Sequence, residues 1–297
     1  MTGFSVRITV VTVLLASVLA ACSDHKAGQQ TGGLLLHVRH KAADSSDSTR
    51  FVASEEVANW DATKTAIIVT DMWDRHWCRG ATARVGELAP FMNKVIAAAR
   101  DKGVLIIYAP SDCVNYYKDY PARKAALKYH DSTAADTDGS VKLPQEENKA
   151  WPVDQSNEGC NDTPRCVPGN VWTKQISALQ ITDKDIISDS GAEIEKVLSA
   201  KGIDNIMMMG VHTNMCIIHR SFGLRNLVRY GKKTVLVRDL TDAMYDSRQS
   251  PYVNHFNGVG LVINYIEKYI SPTILSTDIT GAAPFHFASD PAGVATR

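Results

Sequence analysis

Four consecutive apolar residues, Ile206-Met207-Met208-Met209, run without alternation into Gly210, and helical spacing begins a few residues later. A strand apolar on both faces is buried on both faces, which a parallel sheet covered by helices provides. From Asn214 to Tyr230, Met215, Ile218, Phe222, Leu224, Leu227 and Val228 recur at helical intervals, so the pattern predicts one helix there. The stretch Gly210 to Cys216 (GVHTNMC) then sets a thiol at a helix N-terminus. Unpaired backbone N–H groups and the helix dipole favour thiolate at such a position, and the thiolate is the nucleophile. A lone cysteine in an apolar stretch is equally at home as an inert core residue, so the assignment needs support from elsewhere in the chain.

That support comes from a second apolar run, Thr65 to Thr70 (TAIIVT), which ends in Asp71. In an open parallel sheet the ligand crevice lies outside the carboxyl ends of the strands, so Asp71 and Cys216 are expected to face one cleft. A carboxylate there can orient and deprotonate a thiol or a water. A capping role is common for any single aspartate, but two reactive groups at two strand ends are harder to set aside.

The rest of the chain predicts the architecture. Leu34–Lys41 and Arg50–Val57 read as outer strands around an Asp/Ser-rich turn. Strand Thr65–Thr70, helix Ala83–Lys102, strand Val104–Tyr108 and a helical piece at Ala122–Tyr129 follow. Asp131 to Gly169 is irregular and is expected to cross over the site. Then come strand Val171–Thr173, helix Ala192–Lys201, strand Ile206–Met209, helix Asn214–Tyr230, strand Thr234–Val237 and a last helix over Gly258–Tyr269. Strands alternating with helices mean an α/β fold: a three-layer, mainly parallel sheet with helices on both faces. The tail after Ser276 is expected to be surface-bound or loose. At 297 residues and 44% hydrophobic content the chain can bury one enzyme-sized core. Its formal net charge is zero and no basic run is interleaved with aromatics, which argues against nucleic acid as a partner.

These residues resemble the isochorismatase-like family of cysteine hydrolases, which includes nicotinamidases, carbamoylsarcosine amidohydrolases and ureidoacrylate amidohydrolases. Asp71 after the first core strand and GVHTNMC with Cys216 match two of its motifs, and the resemblance covers Lys64 to Ser276. Lys174-Gln175-Ile176-Ser177-Ala178-Leu179 looks like the family's Lys-x-x-Ser-Ala-Phe stretch with one fewer spacer, and Lys184 is the alternative lysine. The resemblance implies an Asp71–Lys174–Cys216 triad, a cis peptide at Val211-His212 and an oxyanion hole from the backbone N–H groups of His212 and Cys216. It further implies hydrolysis of a small amide-like C–N bond through a thioester. Trp73, His76, Trp77, Tyr116, Thr213 and Asn214 are candidates for the substrate pocket, with Arg238, Asp239 and Asp242 beyond them. Nicotinamidases carry an Asp-x-His zinc site after the second core strand, and here that place reads Ser111-Asp112-Cys113. No metal and no other cofactor is therefore expected, and nicotinamide is a weaker expectation than another amide. A homo-oligomer is compatible with all of this. The competing reading is a surface-anchored, catalytically inactive binding protein that kept the fold.

The first 21 residues read as a signal peptide. Arg7 precedes an apolar stretch, Ile8 to Ala21, which is too short and too terminal for an ordinary membrane span. Leu19-Ala20-Ala21-Cys22 resembles a bacterial lipobox, implying cleavage before Cys22 and its lipidation. The next residue is Ser23, not Asp, so the expected place is the periplasmic side of an outer membrane in a two-membrane bacterium. Residues 22–33 form a polar tether and 34–297 the hydrolase domain. Export favours disulfides, and sequence leaves their connectivity open. Cys160 with Cys166, and Cys78 with Cys113, are the pairings considered, leaving Cys216 as the odd thiol.

Overall fold

Leu34, Leu36 and Val38 alternate with exposed residues, so the first strand, β1 (Gly33–Ala43), buries one face while its hairpin partner β2 (Phe51–Asp61) stays largely exposed. The computed structural model describes residues 1–3, 33–47, 49–290 and 293, and the unit spanning 31–297 carries the whole sheet. The signal-peptide and lipobox expectations fall on residues outside the described ones.

The continuous apolar runs become the sheet centre. β3 (Thr65–Thr70) and β6 (Asn205–Val211) are buried at every position and pair in parallel, with Thr70 opposite Gly210. Ile67, Val69, Met207 and Met209 face one core, and Ile68, Ile206 and Met208 face the other. α1 (Arg79–Asp101) covers the first face with Val85, Leu88, Met92 and Ile96. α3 (Gly191–Ala200), α5 (Leu224–Arg229) and α6 (His255–Tyr269) cover the second through Val197, Leu227 and Val262. Each of these large apolar side chains contributes about 1.5–3 kcal/mol on burial. The remaining strands and α-helices among the described residues are β4 (Leu105–Ala109), α2 (Pro121–Leu127), β5 (Ile186–Ile187), α4 (Cys216–His219), β7 (Lys233–Asp242), β8 (Thr273–Ile274) and α7 (Thr277–Thr280). The strand order is β2-β1-β8-β7-β6-β3-β4-β5, with antiparallel pairing confined to β1.

The chain leaves β3 toward β4 on one side and returns through β6 on the other. The gap between the ends of β3 and β6 is therefore the topological switch point, the place where such sheets bind ligands. Gly210 has φ +114°, and a Cβ there would lie 2.1 Å from the Thr70 carbonyl oxygen. Only glycine lets β6 approach β3 this closely beside Asp71.

Three expectations about the elements need correction. Val171–Thr173 is not a strand; the segment meets the sheet end only through the bridge of Trp73 with Gln175. The strand in that part of the chain is the two-residue β5, hidden behind Asp183-Lys184-Asp185, of which Asp185 is buried against Arg100. The helix expected over 214–230 breaks into α4 and α5, because Arg220 turns to extended backbone and Gly223 caps the next helix. A Cβ at Gly223 would come within 2.7 Å of the Ile218 carbonyl oxygen. Finally, the described part of the tail is packed: Ile279 and Phe287 are buried in the core. The Asp239 carboxylate accepts N–H bonds from Ser276 at 2.8 Å and Phe285 at 3.0 Å.

The 131–169 excursion is irregular, as expected, but firmly attached. Glu146, fully buried, takes a two-pronged ion pair from Arg225 at 2.7 and 2.9 Å. A disulfide joins Cys160 to Cys78 across 82 residues. Neither sequence-based pairing forms: Cys113 and Cys166 are buried free thiols.

Candidate active site

Asp71 sits one residue past the end of β3 at φ +48°, a left-handed turn that aspartate tolerates. Its own N–H donates to the Ala109 carbonyl at 3.1 Å, and its carbonyl accepts from Trp73 N–H at 2.8 Å. These bonds fix the carboxylate, wholly buried, at the switch point. Oδ1 accepts the Ser111 N–H at 2.7 Å, and Oδ2 accepts from Arg220 Nε at 3.2 Å.

Cys216 opens α4 and its thiol lies against the same carboxylate, so β3 and β6 deliver the two groups to one place. The peptide between Val211 and His212 is cis. The His212 N–H acts directly on the Cys216 sulfur. Burial raises the Asp71 carboxyl above its ordinary range, against the pull of Arg220, the thiol and Ser111. Burial also pushes the Cys216 thiol upward, and the Asp71 charge pushes it further. A single-turn α4 supplies little dipole to oppose that push, so the protonated thiol is favoured over the thiolate expected from a long helix.

The cation beside Asp71 is Arg220, not a lysine. Lys174 is close in backbone, since its carbonyl accepts the Asp74 N–H at 2.8 Å. Its ammonium, however, lies over the Tyr116 ring, 5.2 Å from the centroid, and Lys184 is solvent-exposed. Arg220 reaches the carboxylate because the chain breaks there after one helical turn, and its other arm comes within 3.8 Å of Asp112. The sequence signal for this was Gly223 inside the helical pattern, an interruption that ends the helix and releases Arg220.

A profile of the isochorismatase domain matches residues 65–263. The chain belongs to the isochorismatase family. The family is one of hydrolases, and the eight-stranded, mostly parallel sheet agrees with its α/β fold. Similar solved structures include a cysteine hydrolase from Pseudomonas syringae pv. phaseolicola, at 18% identity over 75% of this chain and 95% of that one, TM-score 0.46. An N-carbamoylsarcosine amidase from Thermoplasma acidophilum matches at 15% over 72% and 96%, TM-score 0.40. A pyrazinamidase of Pyrococcus horikoshii in complex with zinc matches at 16% over 71% and 99%, TM-score 0.40. No curated protein matches the chain.

This isochorismatase-family site does not fit the Asp-x-His zinc arrangement. Ser111-Asp112-Cys113 offers no histidine there, and Asp112 faces the Arg220 guanidinium, which repels a divalent ion.

The pocket candidates divide. Trp73, Trp172 and His76 stack, with 4.2 Å between the indole centroids and 5.6 Å from His76 to Trp172. His212 meets His76 edge-on at 5.0 Å. Trp77 packs instead on the disulfide cluster, and Tyr116 is half exposed under Lys174. Thr213 and Asn214 are scaffold. Thr213 Oγ1 bonds Thr241 Oγ1 at 2.6 Å, and Asn214 bonds both the N–H and the carbonyl of Met244. Asp242 joins Arg84 at 2.7 Å and His255 at 2.8 Å, while Arg238 reaches Thr273 at 3.2 Å. These last polar residues hold the fold.

Burial, helped by Arg84, lowers His76 to about 4; burial, helped by His76, lowers His212 to about 3. Both stay neutral in the fold, whereas the unfolded chain takes up protons near 6.5. Their contribution to stability is therefore complete above about pH 6.5 and lost as pH falls toward 4 and 3. Stability against thermal unfolding is expected to fall from pH 7 to 4.5 by on the order of 2 kcal/mol per histidine. His76→Gln should flatten that slope in calorimetry, and an unchanged slope would refute the assignment.

Proposed function

We propose that this hydrolase cleaves a C–N bond in a small amide-like substrate by covalent catalysis at Cys216. The observation that carries the reading is the meeting of Cys216, Asp71 and Arg220 where β3 and β6 end, beside the cis Val211-His212 peptide. In this scheme Asp71 takes the thiol proton as Cys216 Sγ attacks the carbonyl carbon. The same scheme has the oxyanion held by the N–H of His212, at the cis peptide, and by the N–H of Cys216 in the first turn of α4. Asp71 passes its proton to the leaving nitrogen, which departs as the tetrahedral intermediate collapses to a thioester. Water, deprotonated by Asp71, then releases the acid and restores the thiol. Arg220 keeps a positive charge beside Asp71 throughout, favouring the ionised carboxylate against its burial.

A small polar substrate suits the surroundings. Thr70 Oγ1, Ser111 Oγ, Trp172 Nε1, His212 Nε2 and both amide atoms of Gln175 are buried without hydrogen-bond partners. Thr70 and Ser111 adjoin Asp71, Gln175 bridges Trp73, Trp172 stacks on Trp73, and His212 precedes the Cys216 turn. Buried polar atoms are normally paired, so a concentration of orphans around a nucleophile marks donors and acceptors for a ligand. The test is a screen of small amides, ureides and nicotinamide, with mass spectrometry of the trapped protein. An acyl adduct on the peptide containing Cys216 is expected. Turnover without any adduct, surviving loss of the thiol, would show direct water attack instead.

We also propose that lipidation at Cys22 holds the mature protein at the membrane, on the strength of the Leu19-Ala20-Ala21-Cys22 motif. Cys22→Ala is expected to leave the protein unprocessed or soluble. Recovery of unmodified wild-type protein from the soluble periplasmic fraction would overturn the anchor.

A further inference from the structure

Three of the chain's six cysteines meet on a single carboxylate oxygen. The Cys166 thiol donates to Asp162 Oδ2 at 3.2 Å, and the sulfurs of Cys78 and Cys160 lie 3.4 and 3.5 Å from the same oxygen. All three cysteines are buried. The Gly80 N–H donates to that oxygen at 2.9 Å, and a Cβ at position 80 would come within 2.9 Å of the other carboxylate oxygen. Arg79 and Arg84 act on the same carboxylate. A disulfide between Cys78 and Cys160 accounts for two sulfurs; it does not call for a third buried thiol or for a carboxylate seated among them.

A tetrahedral zinc ion with bonds of about 2.3 Å to sulfur and about 2.0 Å to oxygen has sulfur–oxygen edges of about 3.5 Å. The three sulfur–oxygen separations fall at or just under that length; Cys78, Cys160 and Asp162 lie within 4.8 Å of one another, and the Cys166 sulfur, outside that group, must close on it when the disulfide opens. We propose that Cys78, Cys160, Cys166 and Asp162 form a zinc site that opens when the Cys78–Cys160 bond is reduced. A dithiol reductant supplies two electrons and two protons to the disulfide, its sulfur–sulfur bond breaks into two thiols, and the reductant leaves as its own disulfide. Zinc then binds three thiolates and one carboxylate, releasing three protons. Arg79 and Arg84 offset the net negative charge of that set. The oxidised form lacks two of the four donors. In either redox state the start of α1 stays tied to the excursion, by a covalent bond in one and by the metal in the other.

The test uses the full chain, reduced with a phosphine, mixed with Zn²⁺ or Co²⁺ alone, and desalted without oxygen. One zinc per reduced chain is expected by elemental analysis, and cobalt should give thiolate charge-transfer absorption with tetrahedral visible bands. The oxidised chain should show neither. Cys166→Ser and Asp162→Asn, which leave the disulfide intact, should each weaken zinc binding to the reduced chain at least about tenfold. Cys216→Ala should keep the full stoichiometry, separating this site from the catalytic thiol. A reduced wild type that retains no zinc overturns the proposal, as does undiminished binding in Cys166→Ser. Should Asp162→Asn fail to fold, Cys166→Ser decides alone.

Discussion

Cys216→Ala is expected to abolish hydrolysis, by at least about 10³-fold in kcat, while the fold survives. The side chain is partly exposed at the head of a four-residue helix, and alanine removes one sulfur atom without opening a core cavity. Its stability cost should stay within about 1 kcal/mol, well below that of large-to-small core changes. Loss of turnover with an unchanged melting transition checks both halves. Turnover near wild type would place the chemistry on a water activated by Asp71, without a covalent step.

Arg220→Met is expected to reduce the rate by about 10²–10³-fold, and Lys174→Met to change it by less than about threefold. Removing Arg220 leaves a wholly buried carboxylate without its ion-pair partner, and a buried charge stripped of its counter-charge gives up ionisation rather than remain unpaired. A protonated Asp71 cannot accept the thiol proton. Lys174 makes its described side-chain contact with Tyr116, so its loss touches no reacting group. Arg220→Lys should recover part of the rate, because an ammonium can pair with Asp71 without also reaching Asp112. Steady-state rates on a substrate from the amide screen decide the order, and equal losses at 174 and 220 would mean that Lys174 moves onto Asp71 when substrate binds.

What the sequence made legible was whatever periodicity encodes. The unbroken apolar runs at 65–70 and 206–209 announced central parallel strands, and their ends located Asp71 and Cys216. The two-residue strands β5 and β8 carry too few side chains to show a period, and Val171-Trp172-Thr173 imitated a strand by composition alone. Arg220 was missed for a different reason. Apolar spacing that continues on both sides of Gly223 made 214–230 look like one helix, and the glycine is only a weak signal until its close approach to the Ile218 carbonyl, a tertiary fact, is seen. Cysteine pairing failed similarly: Cys78 and Cys160 meet only because the excursion folds back across the start of α1.

The choice of arginine over lysine beside Asp71 has a consequence for how this centre titrates. Burial lowers the guanidinium's proton affinity, but Asp71, Cys216 and Asp112 raise it by more, so Arg220 stays charged across the whole working range. A lysine in its place would shed its proton at high pH and add a third step to the curve. Two members remain, Asp71 and Cys216, and they interact so closely that their protons leave in two steps belonging to the pair. The acid limb of the rate profile should stand above the ordinary carboxylate range and mark the point at which the pair gives up its first proton. Any alkaline limb then reports loss of the second, with the guanidinium as a fixed positive background to both.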